Sequence, residues 1–254
     1  MTGRGWLRCY RPQPAARVRL VCFPHAGGSA SWFRNWPQHL PDAVELHAVQ
    51  YPGREDRFGE RCPTDMAELA DAATDALGPL LDRPVALFGH SMGAAVAFEV
   101  AARLGARGRG LPMHLFASAR HAPHDPSQVT DVHLRDDTGV VDELRRLGGT
   151  VSPLLDDPDL LPLILPAVRA DHELIETYLG DPRRVLDCPL TVLLGTDDTE
   201  VTPEQARRWD VSTRGTVDIA EFPGGHFYLA DVTADVVTTI VGRLGSVAAW
   251  PSTP

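Results

Sequence analysis

Side chains suited to acyl-transfer chemistry follow three short apolar runs in this sequence. Ser91 lies in Gly89-His90-Ser91-Met92-Gly93, an acidic pair at Asp197 and Asp198 follows Gly195, and His226 stands in Pro223-Gly224-Gly225-His226-Phe227. A serine hydroxyl is a poor nucleophile at neutral pH. It needs an imidazole to take its proton and a carboxylate to hold that imidazole in one tautomer and stabilise its cation. Two N–H donors must also receive the oxyanion that forms on the attacked carbonyl. Met92, directly after the serine, supplies one of them. Ala26, in the His25-Ala26-Gly27-Gly28 turn, is placed for the other.

Other residues compete for these roles. His90 neighbours Ser91, but adjacent side chains diverge around a tight turn, so it reads as a shape residue. His25 precedes the serine and reads as a brace for the oxyanion loop, and His172 reads as solvent-facing or core. His226 follows two glycines directly after an apolar run, a backbone that delivers a side chain over a sheet edge, and is the expected base. The spacing Gly195-x-x-Asp198-x-x-Val201 favours Asp198, leaving Asp197 as a loop-stabilising carboxylate.

These residues need strands that end where they begin. Val85 to Phe88 is too short and too apolar for anything but a buried strand, and the alanine-rich run Ala94 to Leu104, closed by Gly105, is a helix. Strand, sharp turn and helix around a serine form a nucleophile elbow. Strands are also predicted at Val18–Phe23, Val44–Val49, Met113–Ser118, Pro189–Gly195 and Thr216–Phe222. Helices are predicted around Trp32, Phe33 and Trp36, from the cap Asp65 to Leu77, and over Ala234–Leu244. Alternating strands and helices predict a largely parallel sheet covered on both faces, with the sites beyond the C-terminal strand ends. Ser, Asp and His in that chain order fit the α/β-hydrolase fold.

The alternation stops between Asp131 and Gly180. This stretch is helix-like, punctuated by proline and rich in leucine: Leu154, Leu155, Leu160, Leu161, Leu163, Ile164 and Leu165. Fifty residues is too long for a single crossover. It reads as an inserted helical lid on a single α/β domain over residues 1–254, its leucines lining an acyl channel.

Composition narrows the function further. The chain has 254 residues, enough for one large α/β domain, and its 43% hydrophobic and 23% charged content is that of a soluble globular protein. No run approaches the ~18 apolar residues of a membrane span, and the arginine-rich N-terminus has no apolar core, so a cytoplasmic protein is expected. Cys9, Cys22, Cys62 and Cys188 lack any paired spacing and read as free thiols. His121 and His124, separated by Pro123, do not make a metal site, and no cofactor is expected. All 24 basic side chains besides histidine are arginines, so Schiff-base and P-loop lysine chemistry is excluded. A net charge of −10 argues against nucleic-acid binding.

With these residues assembled, the chain resembles the type II thioesterases, the discrete editing enzymes that accompany modular polyketide synthases and nonribosomal peptide synthetases. The resemblance spans nearly the whole chain. Its marks are Phe23-Pro-His-Ala-Gly-Gly28, Gln50-Tyr-Pro-Gly-Arg54, Gly89-His-Ser-Met-Gly93, Arg169-Ala-Asp171 and Phe222-Pro-Gly-Gly-His-Phe227. It implies an α/β-hydrolase fold with a helical lid and hydrolysis of acyl thioesters from the phosphopantetheine arm of acyl or peptidyl carrier proteins. It also implies a triad at Ser91, Asp198 and His226, with oxyanion donors at Ala26 and Met92. One departure is that Thr199 stands where a proline often follows the catalytic aspartate, which bears on the choice between Asp197 and Asp198. The competing readings are a serine esterase on small oxygen esters and a catalytically idle hydrolase fold serving as a binding partner. A monomer is expected, with docking of an acidic carrier protein through local arginines: Arg54, Arg57, Arg145 and Arg146.

Overall fold

The computed structural model describes residues 5–125, 130–149 and 155–247. Seven strands form one sheet: β1 Leu7–Arg8, β2 Val18–Phe23, β3 Val44–Val49, β4 Val85–His90, β5 His114–Ser118, β6 Leu190–Gly195 and β7 Val217–Phe222. Their order is β1-β3-β2-β4-β5-β6-β7. All neighbours run parallel except β1, which pairs antiparallel with β3 at the edge. Strands β2, β4, β5 and β6 are buried along their whole length, as central strands covered on both faces must be.

Alternate residues feed two cores. Val21, Phe23 and Leu87 join the side covered by α1 (Met66–Ala76) and α2 (Met92–Ala106). Leu20, Cys22, Ala86 and Phe88 face the other side, with Phe33, Trp36 and the final helix α6 (Thr233–Val247). Helix α1 starts where expected, because the Asp65 carboxylate accepts the Glu68 N–H at 2.8 Å.

Several local expectations are revised. The aromatic stretch after β2 is not one helix but two 3₁₀ segments, Ala30–Phe33 and Trp36–His39. Pro37 has no N–H to continue a helix begun at Ala30, yet suits the first turn of a new one. Helix α2 runs through Gly105 to Ala106. It ends in a Schellman motif, with Gly108 at φ +63°, Gly108 N–H donating to Gly105 O and Arg109 N–H to Leu104 O. Gly105 instead makes room for Leu111, whose side chain would lie 2.9 Å from an added Cβ.

Between β5 and β6 lie a 3₁₀ turn at Val132–Leu134, helix α3 (Asp137–Leu147) and helix α4 (Leu161–Glu176). Their apolar sides make a separate small core of Val132, Val140, Val141, Leu144, Leu155, Leu165 and Val168. Leu163 is exposed, and Leu154 lies outside the described residues. After β6 comes a short helix α5 (Pro203–Arg207), opened by a capping box between Thr202 and Gln205.

Candidate active site

The sheet order reverses between β2 and β4, since β3 lies outside β2 while the chain then returns to β2's other side. Ligand sites of open parallel sheets lie at such switch points, beyond the strand C-termini. Ser91 follows β4 there and Ala26 follows β2.

The elbow is built by steric necessity. Ser91 sits at φ 54°, ψ −119°, a strained conformation for a residue with a side chain. A Cβ at Gly89 would lie 2.1 Å from the Gly93 carbonyl oxygen, and one at Gly93 would lie 2.1 Å from the Phe23 carbonyl oxygen. Only glycine fits either position. The Ser91 N–H donates to Ser118 O at 2.8 Å, tying the turn to β5.

His226 bridges the other two candidates. Its Nε2 is 3.1 Å from Ser91 Oγ, and its Nδ1 is 3.0 Å from Asp198 Oδ2 and 3.2 Å from Oδ1. With Nδ1–H donating to the carboxylate, Nε2 is free to accept the serine proton. The Asp198 side chain is fully buried, and its Oδ1 also accepts the Glu200 N–H at 2.8 Å. Asp197 is exposed, and its N–H donates to Gly224 O, so it steadies the loop below the histidine. The structure brings Ser91, His226 and Asp198 together and leaves Asp197 outside.

His25 and His90 take other parts. The His25 ring packs edge-on against Trp32 and Phe227, each with centroids 4.7 Å away, and an added Cβ at Gly28 would lie 2.8 Å from it. Burial, reinforced by His226 and Arg54, pushes His25 down to about 3, so the ring is neutral. His90 Nδ1 lies 2.9 Å from Ser118 Oγ, which lies 2.7 Å from the Tyr228 hydroxyl. Burial holds His90 well below the ordinary histidine range. His172 is buried and lines the cavity beside Ser91.

That cavity is also lined by Ala26, Met92, Leu144, Leu147 and Ile175. Its apolar wall comes from α3 and the end of α4. Of the leucines first expected in a channel, Leu155 and Leu165 pack in the small core instead.

Two of the four arginines expected to dock a partner are internal. Arg54 is 7% exposed and forms a bidentate pair with Asp171, itself 2% exposed, at 2.5 and 2.9 Å. Asp171 Oδ2 also accepts the Gly27 N–H at 2.8 Å, and Arg54 donates to Gly28 O at 3.1 Å. The pair therefore clamps the loop that carries Ala26 to helix α4. Gln50 adds to it, accepting the Ala30 N–H and donating to Arg54 O. Arg57 is buried too, stacked 4.2 Å over Trp6 and donating to Gln50 O. Neither guanidinium reaches a surface where it could meet a partner. Arg145 and Arg146 are half-exposed and ion-paired, the first with Asp142 and Asp156, the second with Glu143 and Glu200.

The clamp was not readable from sequence, since its partners lie 117 residues apart. The only signal is that both fall in short motifs, Gln50-Tyr-Pro-Gly-Arg54 and Arg169-Ala-Asp171, outside the triad and its oxyanion loop. Arg169, two residues from Asp171, faces the other way and donates to His133 O at 2.7 Å, joining α4 to the preceding turn.

Comparison with known proteins agrees with this architecture. Residues 18–244 match the family described as thioesterase domain. The chain is 46% identical over 251 residues to a probable cadicidin biosynthesis thioesterase of Streptomyces griseus, covering 99% of this chain and 69% of that protein. It is 42% identical over 241 residues to thioesterase PikA5 of Streptomyces venezuelae, with 94% and 85% covered. Among solved structures, the type II thioesterase BorB from the borrelidin biosynthetic cluster superposes with a TM-score of 0.87 at 42% identity, over 94% of this chain and 97% of that one.

Proposed function

This chain belongs to the thioesterase family and is a type II thioesterase, and on that premise we propose that it works through an acyl-enzyme on Ser91, with His226 as base and Asp198 as its orienting carboxylate. The observation that carries the reading is the position of His226, within hydrogen-bond reach of both Ser91 Oγ and the buried Asp198 carboxylate.

The proton of Ser91 passes to His226 Nε2 as Oγ attacks the thioester carbonyl. Asp198 accepts the Nδ1–H and stabilises the imidazolium. The carbonyl oxygen, now negative, is received by the N–H groups of Ala26 and Met92, which flank the serine in the cavity wall. Collapse breaks the C–S bond, and the imidazolium returns its proton to the departing thiolate. Water then takes the thiol's place. His226 removes its proton, the hydroxide attacks the acyl carbon, and Ser91 leaves with the proton restored.

The substrate in this reading is an acyl group on the phosphopantetheine arm of an acyl or peptidyl carrier protein, with the enzyme acting as a cytoplasmic monomer. The pathways of its relatives support the setting: cadicidin biosynthesis, gramicidin S biosynthesis and the borrelidin cluster. No helix among the described residues is long and apolar enough to cross a membrane. Arg145 and Arg146 remain as surface cations for docking.

The test is Ser91→Ala assayed on an acylated carrier protein, an N-acetylcysteamine thioester and an oxygen ester of the same acyl group. Turnover should vanish in the variant while its unfolding transition stays that of the parent. Mass spectrometry of the parent should locate the acyl adduct on Ser91. Near-parent turnover by the alanine variant would remove Ser91 from the mechanism. Preference for the oxygen ester would replace the thioesterase reading of the site by an esterase one.

A further inference from the structure

We propose that Arg120 forms an anion subsite within the Ser91 cavity and selects short acyl groups that end in a free carboxylate, a class of substrate that rests on the reading of Ser91 above. Arg120 follows β5, the strand hydrogen-bonded to the serine turn through Ser118 O. Ala119, at φ 51°, turns the chain there, and Arg120 lines the same cavity as Ser91 and His226. Its backbone is held in place, since Trp209 Nε1 donates to its carbonyl at 2.8 Å.

The guanidinium, in contrast, makes no hydrogen bond, ion pair or ring contact among the described residues. Every other described arginine that is buried or half-buried has a carbonyl or carboxylate partner, as at Arg8, Arg19, Arg54, Arg57, Arg83, Arg103, Arg135, Arg169, Arg184 and Arg243. The stretches outside the described residues contain no aspartate or glutamate that could serve instead. The acids in and beside the cavity, Glu200 and Glu176, attract the guanidinium from a distance, as Tyr178 does, but none makes a hydrogen bond or ion pair with it. Glu143 and Glu200 are engaged by Arg146, and Glu176 by Thr130 and His133.

An unpaired cation in a partly dehydrated wall is costly unless an anion arrives to meet it. Burial, opposed by Tyr178, Glu200 and Glu176, pushes Arg120 down to about 10, which leaves it charged at neutral pH. A guanidinium's planar fork matches a carboxylate with two parallel bonds. The phosphate of a pantetheine arm is the other anion a thioester substrate carries, but it lies at the far end of the arm from the reacting sulfur. Arg120 shares the cavity with the serine itself, which favours the acyl end. About 70 Å³ of that cavity admits the centres of water-sized spheres, against the roughly 10–15 Å³ that one water needs. A half-thioester of a short dicarboxylic acid, of the malonyl kind, is the size and charge that fit.

The experiment compares malonyl- and isovaleryl-N-acetylcysteamine, which share a shape and differ in the terminal carboxylate, and neither of which carries a phosphate. The kcat/KM ratio of the two is measured for the full-length parent, Arg120→Gln and Arg120→Lys. The parent should favour the malonyl thioester, the glutamine variant should lower the ratio by about tenfold or more, a change of roughly 1.4 kcal/mol in discrimination, and the lysine variant should retain an intermediate ratio. A smaller fall, or a lysine variant no better than glutamine, overturns the inference. The same two acyl groups are also assayed as coenzyme A thioesters; a loss confined to these overturns the inference too, and would assign the guanidinium to the phosphates of the arm. Ser91→Ala is run alongside. Turnover surviving in that variant strikes the nucleophile, whereas a ratio indifferent to Arg120 strikes only the subsite.

Discussion

Replacing Asp171 by alanine removes the acceptor of three hydrogen bonds, two from Arg54 and one from the Gly27 N–H, and strands a guanidinium that is 7% exposed. Breaking a buried pair from one side costs about 3–5 kcal/mol, mostly through the uncompensated charge. For a chain of this size that is a fall in Tm of roughly 6–20 °C, at about 2–4 °C per kcal/mol. The double variant Arg54→Met/Asp171→Leu removes both charges and keeps apolar volume. Its remaining deficit is the lost donor of the buried Gly28 and Pro52 carbonyls, about 1–3 kcal/mol for each buried polar group left unmade, and the lost acceptor of the Gly27 N–H, on an exposed residue that water can reach. Because neither charge is left alone, the double variant should be more stable than the sum of its two single changes. Activity should not follow stability. The clamp holds the turn that presents Ala26, so kcat should fall in both variants and stay low in the double. Urea unfolding and steady-state kinetics on one small thioester measure both quantities. A double variant as unstable as the sum of its two single changes would refute the electrostatic account. A kcat restored with stability would refute the role of the clamp in holding the loop.

Two further outcomes are expected. Asp198→Asn should lower kcat by about 10⁴, as loss of the orienting carboxylate does in serine hydrolases, while Asp197→Asn, altering an exposed side chain, should change it little; the reverse ranking in the same assay would transfer the role to Asp197. The buried histidines His25 and His114, held down to about 3 and about 4 chiefly by burial, are neutral in the folded chain. The unfolded chain protonates them near the ordinary histidine value, so it binds more protons as pH falls below about 6.5, and folding stability must decline through that window. Each contributes a loss of roughly 2 kcal/mol between pH 7 and pH 5. Urea titrations at the two pH values check this, with His114→Gln expected to show the smaller difference; equal stability of the parent at both would contradict it.

The strand ends carrying Ser91, Asp198 and His226 were legible because each follows a run of apolar residues too short for a helix and is marked by glycines the turn requires. Spacing favours Asp198 over Asp197, but what separates them physically, a side chain fully buried against an imidazole and one turned to solvent, is not visible in any local pattern. The pairing of Arg54 with Asp171 was out of reach for another reason. Arginines are usually surface residues, and nothing local reports that a carboxylate on a distant helix will be folded against one. Arg57 misled in the same way, its charge hidden over Trp6. The two 3₁₀ segments near Trp36 are hidden by aromatic spacing that suits one continuous helix, which Pro37 interrupts. The two-residue strand Leu7–Arg8 is set by pairing with β3 rather than by any periodicity of its own.

The steric lock at the serine turn has an evolutionary consequence. Gly89 faces Gly93, and Gly93 faces the end of β2, each leaving no room for a single added carbon. Any point mutation of either residue adds at least that carbon, and no exchange between them relieves it, so drift has no gradual path away from the pair. Ser91 is under no such packing constraint, because alanine is smaller. A descendant could therefore lose its chemistry in one step and still be obliged to keep both glycines. In this lineage the glycines record ancestry of fold, and only the residue between them reports whether the chemistry has survived.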